Sequence, residues 1–117
     1  MEIRFIAQAG RGRNGDAALA DHARRRLHFR LMHRSDRVAH IAVRLGDTGG
    51  RRGRGDTYCV MQVQLRGAPA ATVVDIGADA YDTVDRAADR VARLAELQLR
   101  GVDAARPPSA GAGAVAA

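Results

Sequence analysis

Apolar and polar residues alternate along several short stretches of the chain, and this pattern predicts strands with one buried face. The alternating stretches are 2–8, 37–45, 57–66 and 70–76. The inward positions of the two clearest strands are Ala39, Ile41, Val43, Leu45, Cys59, Met61, Val63 and Leu65. In the last stretch, Val73 and Asp75 share one face and Val74 and Ile76 share the other, so the pattern leaves its buried face open.

Two longer segments repeat apolar residues every three or four positions, which predicts amphipathic helices. The first begins at Asp16, a good N-cap residue, and its pattern predicts an end between 29 and 34. The second covers 80–100, with Asp79 as N-cap and Gly101 as the glycine that ends the helix. The predicted buried stripes are Leu19, Ala23, Leu27 and Leu31, and Val84, Ala88, Val91 and Ala95.

The predicted order of elements is β-α-β-β-β-α, an α+β fold. Short links between the last three strands predict an antiparallel meander within a four-stranded sheet. Since each helix has a single apolar stripe, we expect both helices to pack on one face of that sheet. The other face would carry the hydrogen-bonding residues His40, Arg44, Gln62, Gln64 and Arg66.

The chain has 117 residues, a length that suits one small domain with a tail. Residues 1–101 form the predicted domain, and 102–117, rich in Ala, Gly and Pro, form a predicted disordered tail. No apolar run approaches the length of a membrane span, and the N-terminus lacks the apolar region of a secretory signal. We therefore expect a cytoplasmic protein.

Charge is divided unevenly along the chain. Residues 1–66 hold 14 arginines and 6 acids, whereas 67–117 hold 5 arginines and 7 acids, and the net charge is +6. A basic half favours a polyanionic partner, most often a nucleic acid. A GC-rich genome would explain arginine in place of lysine, but it would not explain the excess over acids.

The sequence lacks the usual patterns of catalytic and metal-binding residues. His22, His28, His33 and His40 do not form an i, i+4 pair with matching carboxylates. The chain has one cysteine, Cys59, so an intramolecular disulfide is excluded. Its place on the apolar side of a strand predicts a buried thiol. Aromatic residues make up 3%, too few for a wide platform that stacks single-stranded nucleic acid. We expect no enzyme, no cofactor, no metal and no small-molecule substrate.

Arginine clusters supply the candidate RNA-binding residues, because the guanidinium fork matches a phosphate group. The candidates are Arg25, Arg26, Arg44, Arg51, Arg52, Arg54, Arg66, Arg86, Arg90 and Arg93. Spacing on the second helix predicts ion pairs of Asp82 with Arg86, Asp89 with Arg93, and Glu96 with Arg100. Arg90 has no acid at i+4, so we expect its guanidinium to be freer than that of Arg93 for RNA.

The segment DAYDTVDRAADRVARL, at 79–94, resembles the signature of ribosome hibernation-promoting factors and ribosome-associated inhibitor A. The matching residues are Asp79, Tyr81, Val84, Asp85, Asp89, Arg90, Val91 and Arg93. DAALADHARRRL, with Leu19 and Arg26, resembles the first helix of that family, and SDRVAHIAVRL resembles its second strand. The resemblance extends over about residues 2–100.

This resemblance implies a βαβββα fold and binding to the small ribosomal subunit. The protein would sit in the channel used by messenger and transfer RNA, contact ribosomal RNA through basic helices and hold ribosomes inactive under stress. The resemblance is to a short form without the family's C-terminal dimerisation domain, so we expect a monomer.

Two other functions fit the same residues. A generic double-stranded RNA-binding domain also places two helices on one face of a sheet. A protein-interaction module could use Leu94, Leu97 and Leu99 as an exposed apolar patch at the end of the second helix.

Overall fold

The computed structural model describes residues 1–6, 14–48 and 56–105, and for residues 14–16 it describes the backbone alone. Its strands are β1 (Glu2–Ile6), β2 (Val38–Asp47), β3 (Thr57–Leu65) and β4 (Ala71–Gly77). Its helices are α1 (Asn14–Leu31) and α2 (Ala80–Ala105), and a 3-10 helix (Met32–Arg37) leads from α1 into β2. The predicted βαβββα order is confirmed.

The four strands form one mixed sheet in the order β1-β2-β3-β4. β2, β3 and β4 are antiparallel neighbours, as the short links between them predict, and β1 lies parallel to β2 at the sheet edge. Parallel pairing of β1 with β2 needs a long crossover, which α1 supplies. The antiparallel pairs align Ile41 with Val63 and Met61 with Val73, so the apolar positions of successive strands face the same side.

Both helices cover this apolar face. Buried residues of α1, α2 and the inward strand positions form a single core that includes Leu27, Ile41, Met61, Val91 and Leu99. The predicted inward positions of β3 are confirmed, and Cys59 is fully buried. Burial raises the pKa of the Cys59 thiol to about 12, so this sulfur stays a protonated, unreactive part of the core.

The structure corrects the predicted buried positions of β2 and settles the buried face of β4, which the sequence left open. In β2 the pairing shifts between Val38 and His40, so Val38 is fully buried and Ala39 is only partly covered. Simple alternation could not show this bulge, because a bulge changes which residues face inward. In β4, Val73 points into the core, whereas Val74 and Ile76 are 53% and 54% exposed on the open face.

The helix bounds also differ from the predicted ones. α1 begins at Asn14 rather than at Asp16. The Asp79 cap of α2 is confirmed, since the Asp82 amide donates to Asp79 Oδ1 at 2.9 Å. α2 does not end at Gly101 but continues to Ala105.

A tertiary contact supports the last turn of α2. In its last turn, Asp103 Oδ2 lies 3.2 Å from Arg37 Nη1, and this ion pair ties the end of the helix to the start of β2. Residues 102–105 of the predicted tail are therefore helical, and the remainder of that tail lies outside the described residues. None of the helices in the described ranges is long and apolar enough to cross a membrane.

Candidate nucleic-acid interface

Hydrogen bonds and ion pairs join α1 to α2 along their shared side. His22 Nε2 lies 2.7 Å from Asp85 Oδ1, Arg26 Nε lies 3.2 Å from the same oxygen, and Arg30 Nη1 lies 3.1 Å from Asp89 Oδ1. Positions along both helices increase together in these pairs, so α1 and α2 run in the same direction. Arg26, predicted to bind RNA, is thus largely engaged between the helices.

The next turn carries the best-formed ion pair of this side. Arg34 donates from Nε and Nη2 to the two carboxylate oxygens of Glu96, at 2.9 and 2.7 Å. Arg100 Nε adds a third hydrogen bond to Glu96, at 2.9 Å. These hydrogen bonds, of which that from Arg34 has the largest effect, lower the pKa of Glu96 to about 2. The same hydrogen bond with Glu96 raises the pKa of Arg34. Glu96 therefore stays ionised across the neutral range.

A groove of about 580 Å³ opens between the end of α1, the 3-10 helix and the second half of α2. We call it the basic groove. Its lining residues are Arg30, His33, Arg34, Ala92, Arg93, Glu96, Leu97 and Arg100. Four guanidinium groups and one carboxylate leave a net charge of +3 when His33 is neutral. An open, strongly positive groove of this kind suits a phosphate-bearing chain.

Arg93 is the arginine of this groove whose charge is least neutralised. Its side chain is exposed, and no partner for it is found among the described residues. The predicted ion pair with Asp89 is wrong, because Asp89 faces α1 and lies near Arg26 and Arg30 instead. The i, i+4 pair of Glu96 with Arg100 is confirmed.

Arg86 and Arg90 have a structural setting that the sequence did not predict. Both reach across to β4, where Arg86 Nε lies 3.3 Å from Asp75 Oδ1 and Arg90 Nη1 lies 3.0 Å from Asp75 Oδ2. The predicted pairing of Asp82 with Arg86 is therefore replaced by Asp75, whose side chain is 12% exposed. The expectation that Arg90 is freer than Arg93 is wrong.

The same two arginines cover the outer edge of the sheet. Arg90 donates to the carbonyl of Val74 at 3.0 Å, Arg86 to that of Ile76 at 3.3 Å, and Gln98 to that of Ala70 at 3.3 Å. Val74 and Ile76 are alternate residues of β4, Ala70 directly precedes that strand, and β4 has no strand on its far side. Side chains of α2 thus satisfy backbone acceptors that an edge strand leaves unpaired.

The other predicted RNA-binding residues are scattered. Arg25 pairs with Asp21 on the exposed side of α1. Arg66 donates to the carbonyls of Asp36 and Val38, at 3.2 and 3.4 Å, and so stabilises the start of β2. Arg44 is exposed on the open sheet face. The remaining three, Arg51, Arg52 and Arg54, lie outside the described residues.

Sequence reasoning missed four basic residues of the basic groove. They are Arg30, His33, Arg34 and Arg100. One signal was present: His22, Arg26, Arg30 and Arg34 recur every four positions, next to the apolar stripe of α1. Such a row faces a neighbouring helix, and the complementary row on α2 is Asp85, Asp89 and Glu96.

Comparison with solved structures finds the same architecture in other proteins, as two examples show. The N-terminal domain of Thermus thermophilus Protein Y is similar over 80% of this chain and 93% of that chain, with a TM-score of 0.60 and 24% identity. A ribosomal subunit interface protein from Coxiella burnetii is similar over 85% and 99%, with a TM-score of 0.61 and 18% identity. The chain has the fold of these proteins. No protein-family model and no curated protein sequence matches it.

Proposed function

We propose that the protein binds the small ribosomal subunit, with ribosomal RNA phosphates in the basic groove, and hinders translation while it is bound. The observation that carries the proposal is the groove itself, which is lined by Arg30, Arg34, Arg93 and Arg100 and by a single carboxylate, that of Glu96. Arginine forks bind phosphate oxygens, and a groove lined with several of them gives sequence-independent affinity for RNA.

Two further observations support a ribosomal partner. The chain shares its fold with a ribosomal subunit interface protein. Its α2 segment also carries the motif on which the resemblance to hibernation-promoting factors rests, and Arg93 belongs both to that motif and to the basic groove. The inhibitory part of the proposal follows from that resemblance.

Co-sedimentation with isolated ribosomal subunits tests the proposal. We expect the protein to pellet with small subunits and not with large ones, and to inhibit a cell-free translation reaction at matching concentrations. Arg93→Glu should weaken pelleting strongly, because it places a second carboxylate in the groove. Arg4→Glu is the matched control, since Arg4 lies on β1 beside Glu2 and outside the groove. Equal effects of the two reversals would mean that only net charge matters.

A blunt RNA duplex added as competitor separates this function from generic double-stranded RNA binding. We expect the duplex to compete weakly with small subunits for the protein. A generic duplex-binding domain would instead be displaced from the subunits by the added duplex. The apolar-patch alternative loses most of its basis in the structure. Leu99 is fully buried and Leu94 packs against the core, which leaves Leu97 as the exposed member of that trio.

A further inference from the structure

Phe29 is an aromatic side chain on the surface of α1, and 74% of it is exposed. The other three aromatic rings contact the protein. Arg24 lies 4.8 Å above the Phe5 ring, Tyr81 lies 4.8 Å from the His22 ring, and Tyr58 covers Gly46 so closely that a Cβ there would stand 2.9 Å from the ring. Within the described residues, Phe29 has no such ring contact.

The surroundings of Phe29 are basic. Within α1, the residues three and four positions before Phe29 are Arg26 and Arg25, which are its neighbours on the helix surface. Met32 and His33 follow Phe29 at the start of the 3-10 helix. His33 lines the basic groove, so Phe29 is four residues along the chain from a groove residue. A polyanion seated in the groove would therefore pass beside an exposed aromatic ring.

We infer that Phe29 stacks on an unpaired RNA base whose neighbouring phosphates lie in the basic groove. This inference rests on the proposed function and adds to it a preference for RNA with an exposed base. Every base has a π face, so a single aromatic ring beside a cationic groove binds a nucleotide without reading its identity. Unpaired nucleotides in loops and bulges are the parts of RNA that proteins stack in this way.

Charge favours RNA over a protein on this surface. Met32 and Leu97 are 55% and 60% exposed, so an apolar partner could in principle touch them together with Phe29. However, Arg25, Arg26 and His33 lie within four residues of Phe29 and would lose their hydration under an apolar partner. A phosphate chain instead complements the net positive charge of the neighbouring basic groove.

The test uses oligo(A) and an oligonucleotide of equal length with abasic sugars, which has the same phosphates without bases. We expect wild-type protein to bind oligo(A) about tenfold more tightly than the abasic oligonucleotide. This factor lies in the lower part of the range of affinity gained from stacking one base on an aromatic ring. Phe29→Leu keeps an apolar side chain but removes the ring, and it should abolish this preference while leaving abasic binding and its salt dependence unchanged. Met32→Leu is the control and should keep the preference.

A fluorescent variant gives an independent readout. The chain has no tryptophan, so Phe29→Trp introduces a single indole at the proposed stacking position. Its emission should be quenched by oligo(A) and not by the abasic oligonucleotide. The inference is overturned if wild-type protein shows no preference for oligo(A), or if Phe29→Leu retains it, as an apolar docking role would require. Failure of the proposed function is seen separately, as loss of small-subunit pelleting by the wild-type protein.

Discussion

Arg90 and Arg93 lie less than one turn apart on α2, yet they belong to regions of different kind. The first half of the helix sends Arg86 and Arg90 over the edge of β4, where they bind Asp75 and two backbone carbonyls. The second half, with the end of α1, forms a groove in which Arg93 faces solvent. Both are arginines of the same helix, so the element that lies opposite each one decides whether it stabilises the fold or is available to a ligand.

The largest expected effect concerns the β4 arginines. Replacing both in Arg86→Ala/Arg90→Ala leaves the Asp75 carboxylate, 12% exposed, without these ion pairs and uncovers the carbonyls of Val74 and Ile76. We expect a loss of about 2 kcal/mol in the free energy of unfolding, or about 10 °C in the melting temperature. Thermal melts followed by circular dichroism measure it.

Two companion variants sharpen this result. Arg93→Ala should change the free energy of unfolding by less than about 0.5 kcal/mol, because its side chain is exposed. Adding Asp75→Asn to the double variant should recover part of the stability, since it removes the uncompensated charge. An unchanged melting temperature for the double variant would show that these arginines do not support the fold.

A smaller effect is expected where a groove residue also serves the fold. Glu96 has a pKa near 2 instead of the usual 4.5, so its ion pairs stabilise the folded state fully above pH 4.5 and lose that contribution as the pH falls toward 2. Because its side chain is 25% exposed, we expect this contribution to be only about 1 kcal/mol.

Glu96→Gln tests both the contribution of Glu96 to stability and its effect on binding in the groove. Denaturant melts between pH 2 and 5 should show a flatter pH dependence than wild type. The same variant frees Arg34 and Arg100 in the groove, so it should bind small subunits more tightly at neutral pH. Weaker binding by a folded Glu96→Gln protein would mean that the carboxylate itself takes part in recognition.

The smallest expected effect extends the comparison to Arg37. A chain ending at residue 101 loses the Asp103 partner of Arg37, and we expect it to be less stable by about 0.5–1 kcal/mol. A chain ending at 105 keeps this ion pair and should match wild type. Urea denaturation of the two truncated proteins gives the difference, and equal midpoints would show that the last turn of α2 adds nothing.

Much of the fold follows from the sequence because local patterns and burial agree. Alternation in 57–66 predicts the buried side of β3, and Leu19, Ala23, Leu27 and Leu31 form the buried stripe of α1 as predicted. The exceptions come from contacts distant in sequence. The bulge beside Val38 lies in the pairing with β3, and the turn of α2 beyond Gly101 is supported by the ion pair of Asp103 with Arg37.

The sequence predicts that the candidate site binds a polyanion, but it does not predict which residues form the site. An excess of arginine indicates a polyanion, but helical spacing pairs Asp89 with Arg93, whereas in the structure Asp89 faces Arg26 and Arg30. Asp75 is likewise invisible as a partner of Arg90, because they come together only when α2 packs on β4. The basic groove requires two helices side by side, so its residues could not be assembled from either segment alone.

Binding of Arg93→Ala and Arg90→Ala to isolated small ribosomal subunits, measured over a series of salt concentrations, tests the distinction between the two regions most directly. Losing one phosphate contact reduces the slope of log K against log salt by about 0.7–0.9. We predict that reduction for Arg93→Ala, while Arg90→Ala, measured well below its melting temperature, keeps the wild-type slope. A wild-type slope for Arg93→Ala together with a reduced slope for Arg90→Ala would contradict the assignment of the basic groove as the RNA-binding site.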